Sequence, residues 1–174
     1  MLVPHDRMVG NKRRGTMRVL GIGTDLVYMP RVVELLQRMP AGSGAHARFA
    51  GKFMHARERA GALGAKDQAR YVAGVWAAKE ALYKAVAGAD APPAATLYRA
   101  CYKEADAVGR PTLQVDAGEL QRAGHMRFWE ERLAGTRFLL SVSHDEDYLV
   151  AFVCHVADET FRAPDERQRI TKNS

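Results

Sequence analysis

The stretch from Asp67 to Gly88, "DQARYVAGVWAAKEALYKAVAG", constrains this chain more than any other. It holds no proline, it is rich in alanine, and it is framed by an aspartate suited to cap a helix and a glycine suited to end one. Tyr71, Val75, Ala78, Leu82 and Val86 recur at helical spacing and predict a buried stripe. Trp76, Glu80 and Lys84 follow one another a turn apart on an adjacent stripe. A Glu–Lys pair at this spacing is common on solvated helix faces, where it adds only about 0.2–0.5 kcal/mol. The alanines around this pair keep the helix surface low, so that something can approach closely.

The remaining segments assemble around that helix. "MRVLGIGTDLVYM" reads as a strand whose apolar run leads to Asp25, and Pro30 suits the first turn of a helix "PRVVELLQRM" with Arg31 and Arg38 outward. "PAGSGAHA" has loop composition. "RFAGKFMHARERAGALG" predicts one or two short helices ending near Gly61 or Gly64. After a linker, "ADAPPAAT", come strands "LYRACYKEA" and "TLQV" on either side of a "GRP" turn, Gly109 to Pro111. A helix or loop over "AGELQRAGHMRFWEERLAG" leads to the closing hairpin "FLLSVSHDEDYLVAFVCHV", divided at its "DED" turn. The pattern predicts an α+β fold, an antiparallel sheet packed on the long helix. One domain spans residues 17–158, between a basic leader at 1–16 and a charged tail at 159–174.

No apolar run approaches the roughly 20 residues of a membrane span. The formal net charge of +6 calls for a polyanionic partner. Nucleic acid is disfavoured, because the aromatics make up only 8% of the chain and fall mostly on apolar stripes. Cys101 and Cys154 lack the spacing of a zinc site or a disulfide framework, and predict reduced, buried thiols. In the leader, Arg7, Lys12, Arg13 and Arg14 stand against the single acid Asp6, without the apolar core of a secretory signal. Such a segment suits mitochondrial import, or else a disordered tail, and Met17 is a second possible start.

Three constellations carry candidate chemistry. "GIGTD" has Leu26 where a dinucleotide fingerprint needs its third glycine, so that reading is weak. What remains is Asp25 at a strand end, either capping the next helix or facing a cation. Asp25 on a strand and Glu80 on a helix suit Mg2+, which takes few protein ligands, and Lys84 suits a phosphate. The bland alternative for Glu80 and Lys84 is a surface salt bridge. Ser141 and Ser143 share a strand face and His144 follows; they line a phosphate site, or they are the polar face of an edge strand. No GxSxG elbow supports a serine hydrolase. The "GRP" turn is uninformative in isolation.

In their order, "GIGTDLVYMPR", "RFAGKFMHARE", "WAAKEALYKA", "GRPTL" and "FLLSVSHDEDYLVAFV" resemble the 4'-phosphopantetheinyl transferases of the holo-acyl-carrier-protein synthase type, from Arg18 to Val156. "TDLVYMPR", "KDQARYVAG" and the hairpin look most like the fungal mitochondrial branch. The resemblance implies that family's fold, and transfer of the phosphopantetheine arm from coenzyme A to a serine of apo acyl carrier protein, releasing adenosine 3',5'-bisphosphate. It assigns Mg2+ to Asp25 and Glu80, phosphate charge to Lys84, and serine activation to Glu80. Gly109, Pro111, Ser141, Ser143 and His144 are expected along the nucleotide. Arg31, with Arg38, Arg48 and Lys52 as additions, is expected to meet the acidic carrier. The resemblance further implies a homotrimer with the site shared between subunits, and residence in the mitochondrial matrix. One departure is Val75, where the family usually carries a basic residue that helps bind coenzyme A; Arg70 or Lys79 is a candidate substitute. Two alternatives are another Mg2+-dependent nucleotide enzyme and a catalytically impaired relative that binds the carrier, the latter suggested only by Val75.

Overall fold

The computed structural model describes residues 16–158, so the leader up to residue 15 and the tail from 159 lie outside the described residues. Strand β1 (Met17–Tyr28) passes directly into helix α1 (Met29–Gln37), with Pro30 in the first helical turn. Helix α2 (Gly44–Phe53) and helix α3 (Ala56–Gly64) follow. The loop expected over "PAGSGAHA" is shorter than its composition suggests, because the Ser43 side chain accepts the His46 N–H at 3.1 Å and starts α2 at Gly44. Helix α4 (Gln68–Val86) is the long helix, capped by Asp67, whose Oδ1 accepts the Arg70 N–H at 3.0 Å.

Helix α5 (Ala94–Ala100) occupies ground where a strand was expected. Pro93 ends the linker and begins this helix, and extended backbone starts only at β2 (Cys101–Ala105). Strand β3 (Pro111–Val115) is followed by short helices α6 (Ala117–Arg122) and α7 (Met126–Phe128) and a π-helical turn (Trp129–Leu133). The hairpin of β4 (Thr136–Asp145) and β5 (Tyr148–Asp158) turns at Glu146, which has φ +45°. The five strands form one antiparallel sheet in the order β1-β5-β4-β3-β2.

One face of this sheet packs on α4. Leu149, Ala151 and Val153 of β5 meet the helix stripe Ala73, Ala77, Ala81 and Ala85. Here the low alanine surface finds its partner, which is β1. A Cβ added at Gly21 would stand 2.0 Å from the Ala85 carbonyl oxygen, and one at Gly23 2.0 Å from that of Ala81. The "GIG" motif is thus a close-packing device between strand and helix backbone. A second apolar cluster joins Leu36, Ala50, Phe53, Met54, Val75 and Tyr98 on the other side of α4. Cys101 is buried and Cys154 half-buried, and both are free thiols.

The opposite face of the sheet is apolar yet exposed. Register places Ile22, Cys154 and Leu139 in one cross-strand row, Thr24, Phe152 and Ser141 in the next, and Leu26, Val150 and Ser143 in a third. Ile22 is 61%, Leu26 63% and Phe152 45% exposed.

Candidate active site

The close approach of β1 to α4 determines what Asp25 can reach. Two residues beyond Gly23, Asp25 points to the same side of the strand and meets the helix one turn along. Its Oδ1 accepts from Lys84 Nζ at 2.8 Å, and the same ammonium donates to the Thr24 carbonyl at 2.9 Å. Glu80 lies one helical turn before Lys84 on that flank. Asp25 is mostly buried while Lys84 is about half exposed, so the pair sits at the rim of the packed interface.

Glu80 is half-buried, with the Tyr98 phenol nearby. Burial, foremost, holds the Tyr98 phenol well above its ordinary range; the adjacent carboxylate of Glu80 and the negative charge of Asp25 act in the same direction. Both carboxylates therefore act on one hydroxyl. The donor set fits a hard divalent cation: two carboxylates from different elements beside a lysine ammonium already seated on one of them. Among the described residues no group of three or more His, Cys, Asp or Glu side chains is arranged to hold a metal. A cation held here would therefore take few protein ligands and leave positions for water and phosphate oxygens.

Trp76 continues the stripe and packs rather than reaching into the site. Its ring meets Phe53 edge-on at 5.1 Å and Tyr98 at 5.9 Å. It also walls an apolar groove of about 350 Å³ together with Leu26, Tyr28, Arg31, Leu35 and Phe49. Arg31, Arg38, Arg48 and Lys52 are all exposed, on or beside α1 and α2.

The other expected nucleotide contacts are not brought to Asp25 within one chain. Ser141 and Ser143 point from the exposed sheet face, opposite to the face that carries Asp25, and His144 is exposed at the end of β4. Gly109 and Pro111 belong to the β2–β3 turn, at the sheet edge opposite β1. That turn is closed by Asp106, whose Oδ1 accepts the N–H groups of Val108 and Arg110 at 3.0 and 2.8 Å, with Gly109 at φ +83°.

Lys79 cannot replace the basic residue missing at Val75. It is wholly buried, 2.6 Å from Glu58 Oε2, and donates to the carbonyls of Phe53, Tyr98 and Cys101. Val75 is itself fully buried in the second apolar cluster, so the departure there belongs to the core. Arg70 is exposed and pairs with Asp67 at 3.3 Å. Tyr98 lies in no motif, and Glu58, though it closes the segment "RFAGKFMHARE", carried no sign of its role: the contacts of both are with residues distant along the chain.

A strand carboxylate against a helix carboxylate and lysine, on a five-stranded antiparallel sheet, defines a class. The family model of the 4'-phosphopantetheinyl transferase superfamily matches residues 21–153, and the chain belongs to that family. Among relatives, the mitochondrial holo-[acyl-carrier-protein] synthase of Eremothecium gossypii is 99% identical over 174 residues, the whole of both chains. That of Candida glabrata is 40% identical over 147 residues, covering 78% of this chain and 93% of its own. Among solved structures, the holo-[acyl-carrier-protein] synthase of Neisseria meningitidis superposes with a TM-score of 0.62 at 30% identity, over 79% of this chain and 98% of its own.

Proposed function

We propose that Asp25, Glu80 and Lys84 are the reaction centre of this chain, a mitochondrial holo-[acyl-carrier-protein] synthase that transfers phosphopantetheine from coenzyme A to a serine of apo acyl carrier protein. The observation that carries the assignment is the Lys84 ammonium seated on Asp25, one turn from Glu80. Asp25 and Glu80 would hold Mg2+, which when bound neutralises charge on the coenzyme A pyrophosphate.

The chain's own residues supply the rest. Glu80 takes the proton of the carrier serine, whose oxygen attacks the phosphorus bearing the pantetheine arm. That P–O bond forms as the bond to adenosine 3',5'-bisphosphate breaks, and Lys84 offsets charge on the phosphate oxygens. Exposed Arg31, Arg38 and Arg48 present positive charge to the acidic carrier, which steers encounter more than it alters chemistry.

Ser141, Ser143 and His144 reach the nucleotide from a neighbouring subunit of a homotrimer. Two features support this reading. The serines point away from Asp25 of their own chain, and they share their face with exposed Ile22, Leu26 and Phe152. The scaffold alternative loses its support, since Val75 is a core residue.

Intact mass spectrometry of apo acyl carrier protein, incubated with the chain, coenzyme A and Mg2+, tests the assignment. A gain of one phosphopantetheine, abolished by EDTA and by Glu80→Ala, is expected. Arg31→Ala is expected to slow transfer at limiting carrier and to recover at saturating carrier. Full transfer by Glu80→Ala would remove Glu80 from the chemistry.

A further inference from the structure

Lys103 stands on the side of its strand where an apolar residue belongs. Side chains alternate along β2, so Lys103 shares the core-facing side with Cys101, which is fully buried. Across the ladder it pairs with buried Leu113 of β3. Its stem lies over α4 at Gly74, whose missing side chain leaves the room: a Cβ there would stand 4.0 Å from Lys103 Cε. The ammonium reaches the face of the Tyr71 ring, 5.7 Å from its centroid.

Among the described residues this ammonium has no ion-pair partner and makes no hydrogen bond. Glu58 of α3 lies alongside, but both of its oxygens are taken. Oε1 accepts the Lys103 backbone N–H at 2.8 Å, and Oε2 accepts from Lys79 at 2.6 Å and from the His55 N–H at 3.0 Å. The ammonium is not sealed from solvent either, because no fully buried side-chain nitrogen among the described residues lacks a partner. Burial, foremost, holds its pKa below the ordinary lysine value, against the opposing effect of the Glu58 charge. The other described lysines differ: Lys79 and Lys84 hold carboxylates, and Lys52 and Lys66 are exposed.

We propose that Lys103 is a modification site, acylated on Nζ by thioesters of coenzyme A. A mitochondrial enzyme that uses coenzyme A meets its acyl thioesters as well. The neutral amine attacks the thioester carbonyl carbon; the C–N bond forms, the C–S bond breaks, and the amine proton leaves with the coenzyme A thiol. The amide that results carries no charge, on a side of the sheet where the ammonium has no carboxylate to offset its desolvation.

The experiment incubates the full chain, without carrier, with acetyl-coenzyme A from about pH 7 to pH 10 and follows each lysine by peptide mass spectrometry. Near neutral pH Lys103 is expected to react at least about fivefold faster than Lys52 and Lys66, and to reach its plateau rate at a lower pH. Lys103→Arg is expected to lose the early-reacting site and no other. Rates at Lys103 equal to those at Lys52 and Lys66, or a parallel pH profile, would overturn the proposal and leave Lys103 as a stem lying on the core with its head in water. Undiminished early incorporation in Lys103→Arg would do the same, as would acylation of Lys103 by acetyl phosphate and not by the thioester. The measurement needs no transfer activity, so its outcome is separate from the assignment of Asp25, Glu80 and Lys84.

Discussion

Lys79 and Glu80 are adjacent in sequence and have opposite surroundings. Lys79 is completely buried against Glu58, while Glu80 is half-buried, one turn before the Lys84 that pairs with Asp25. A buried ion pair contributes little relative to a well-packed apolar pair, but breaking one member is costly, on the order of 3–5 kcal/mol. Lys79→Met is therefore expected to lower the urea midpoint sharply, since it strands the Glu58 carboxylate and three carbonyls. Adding Glu58→Gln to that variant should recover part of the loss by removing the buried charge, and not all of it, because the carbonyls of Phe53, Tyr98 and Cys101 still lack donors. Equal midpoints for the single and double variants would show that the charge is not the cost. In the sequence, Lys79 reads as one more polar residue beside Glu80. Its burial follows from α3, α5 and β2 closing over it.

The strand–helix contact is where composition becomes geometry. Gly21 and Gly23 let β1 lie on the backbone of α4, and the alanines of α4 leave the room. Gly23→Ala is expected to destabilise the chain by at least about 1–3 kcal/mol, the usual cost of overpacking. It should slow transfer by more than its stability loss accounts for, because it moves Asp25 away from Lys84 and Glu80. Urea unfolding and transfer rates measured on the same preparation check both; a rate unchanged in the folded variant would detach the glycine from the site. The strand β1, the helices α1 and α4 and the closing hairpin were legible from periodicity and turn chemistry. The start of α2 and the helix α5 were not, since a serine cap and a proline-led turn inside alanine-rich segments leave no apolar period to read.

At the scale of the whole molecule, the sheet has one face on α4 and one exposed apolar face, and that second face also carries Ser141 and Ser143. Phe152→Asp, at the centre of that patch, is expected to convert a trimer into monomers in sedimentation velocity and to abolish transfer while the far-ultraviolet circular dichroism is retained. A monomeric, fully active unsubstituted chain would exclude a shared site. The sequence by itself determined the family, through motifs taken in their order, and named the candidate carriers of its chemistry: a carboxylate after an apolar strand, a Glu–Lys turn on an alanine-rich helix, and the hairpin with its serines. It did so because such features are local, set by spacings of two to four residues. Only the tertiary structure decided that "GIG" is a packing motif, that Lys79 and Val75 are core, that the Tyr98 carbonyl accepts from Lys79, and that the serines face away from Asp25. Each of these depends on which backbone surfaces close on one another, and neither spacing nor composition carries that information.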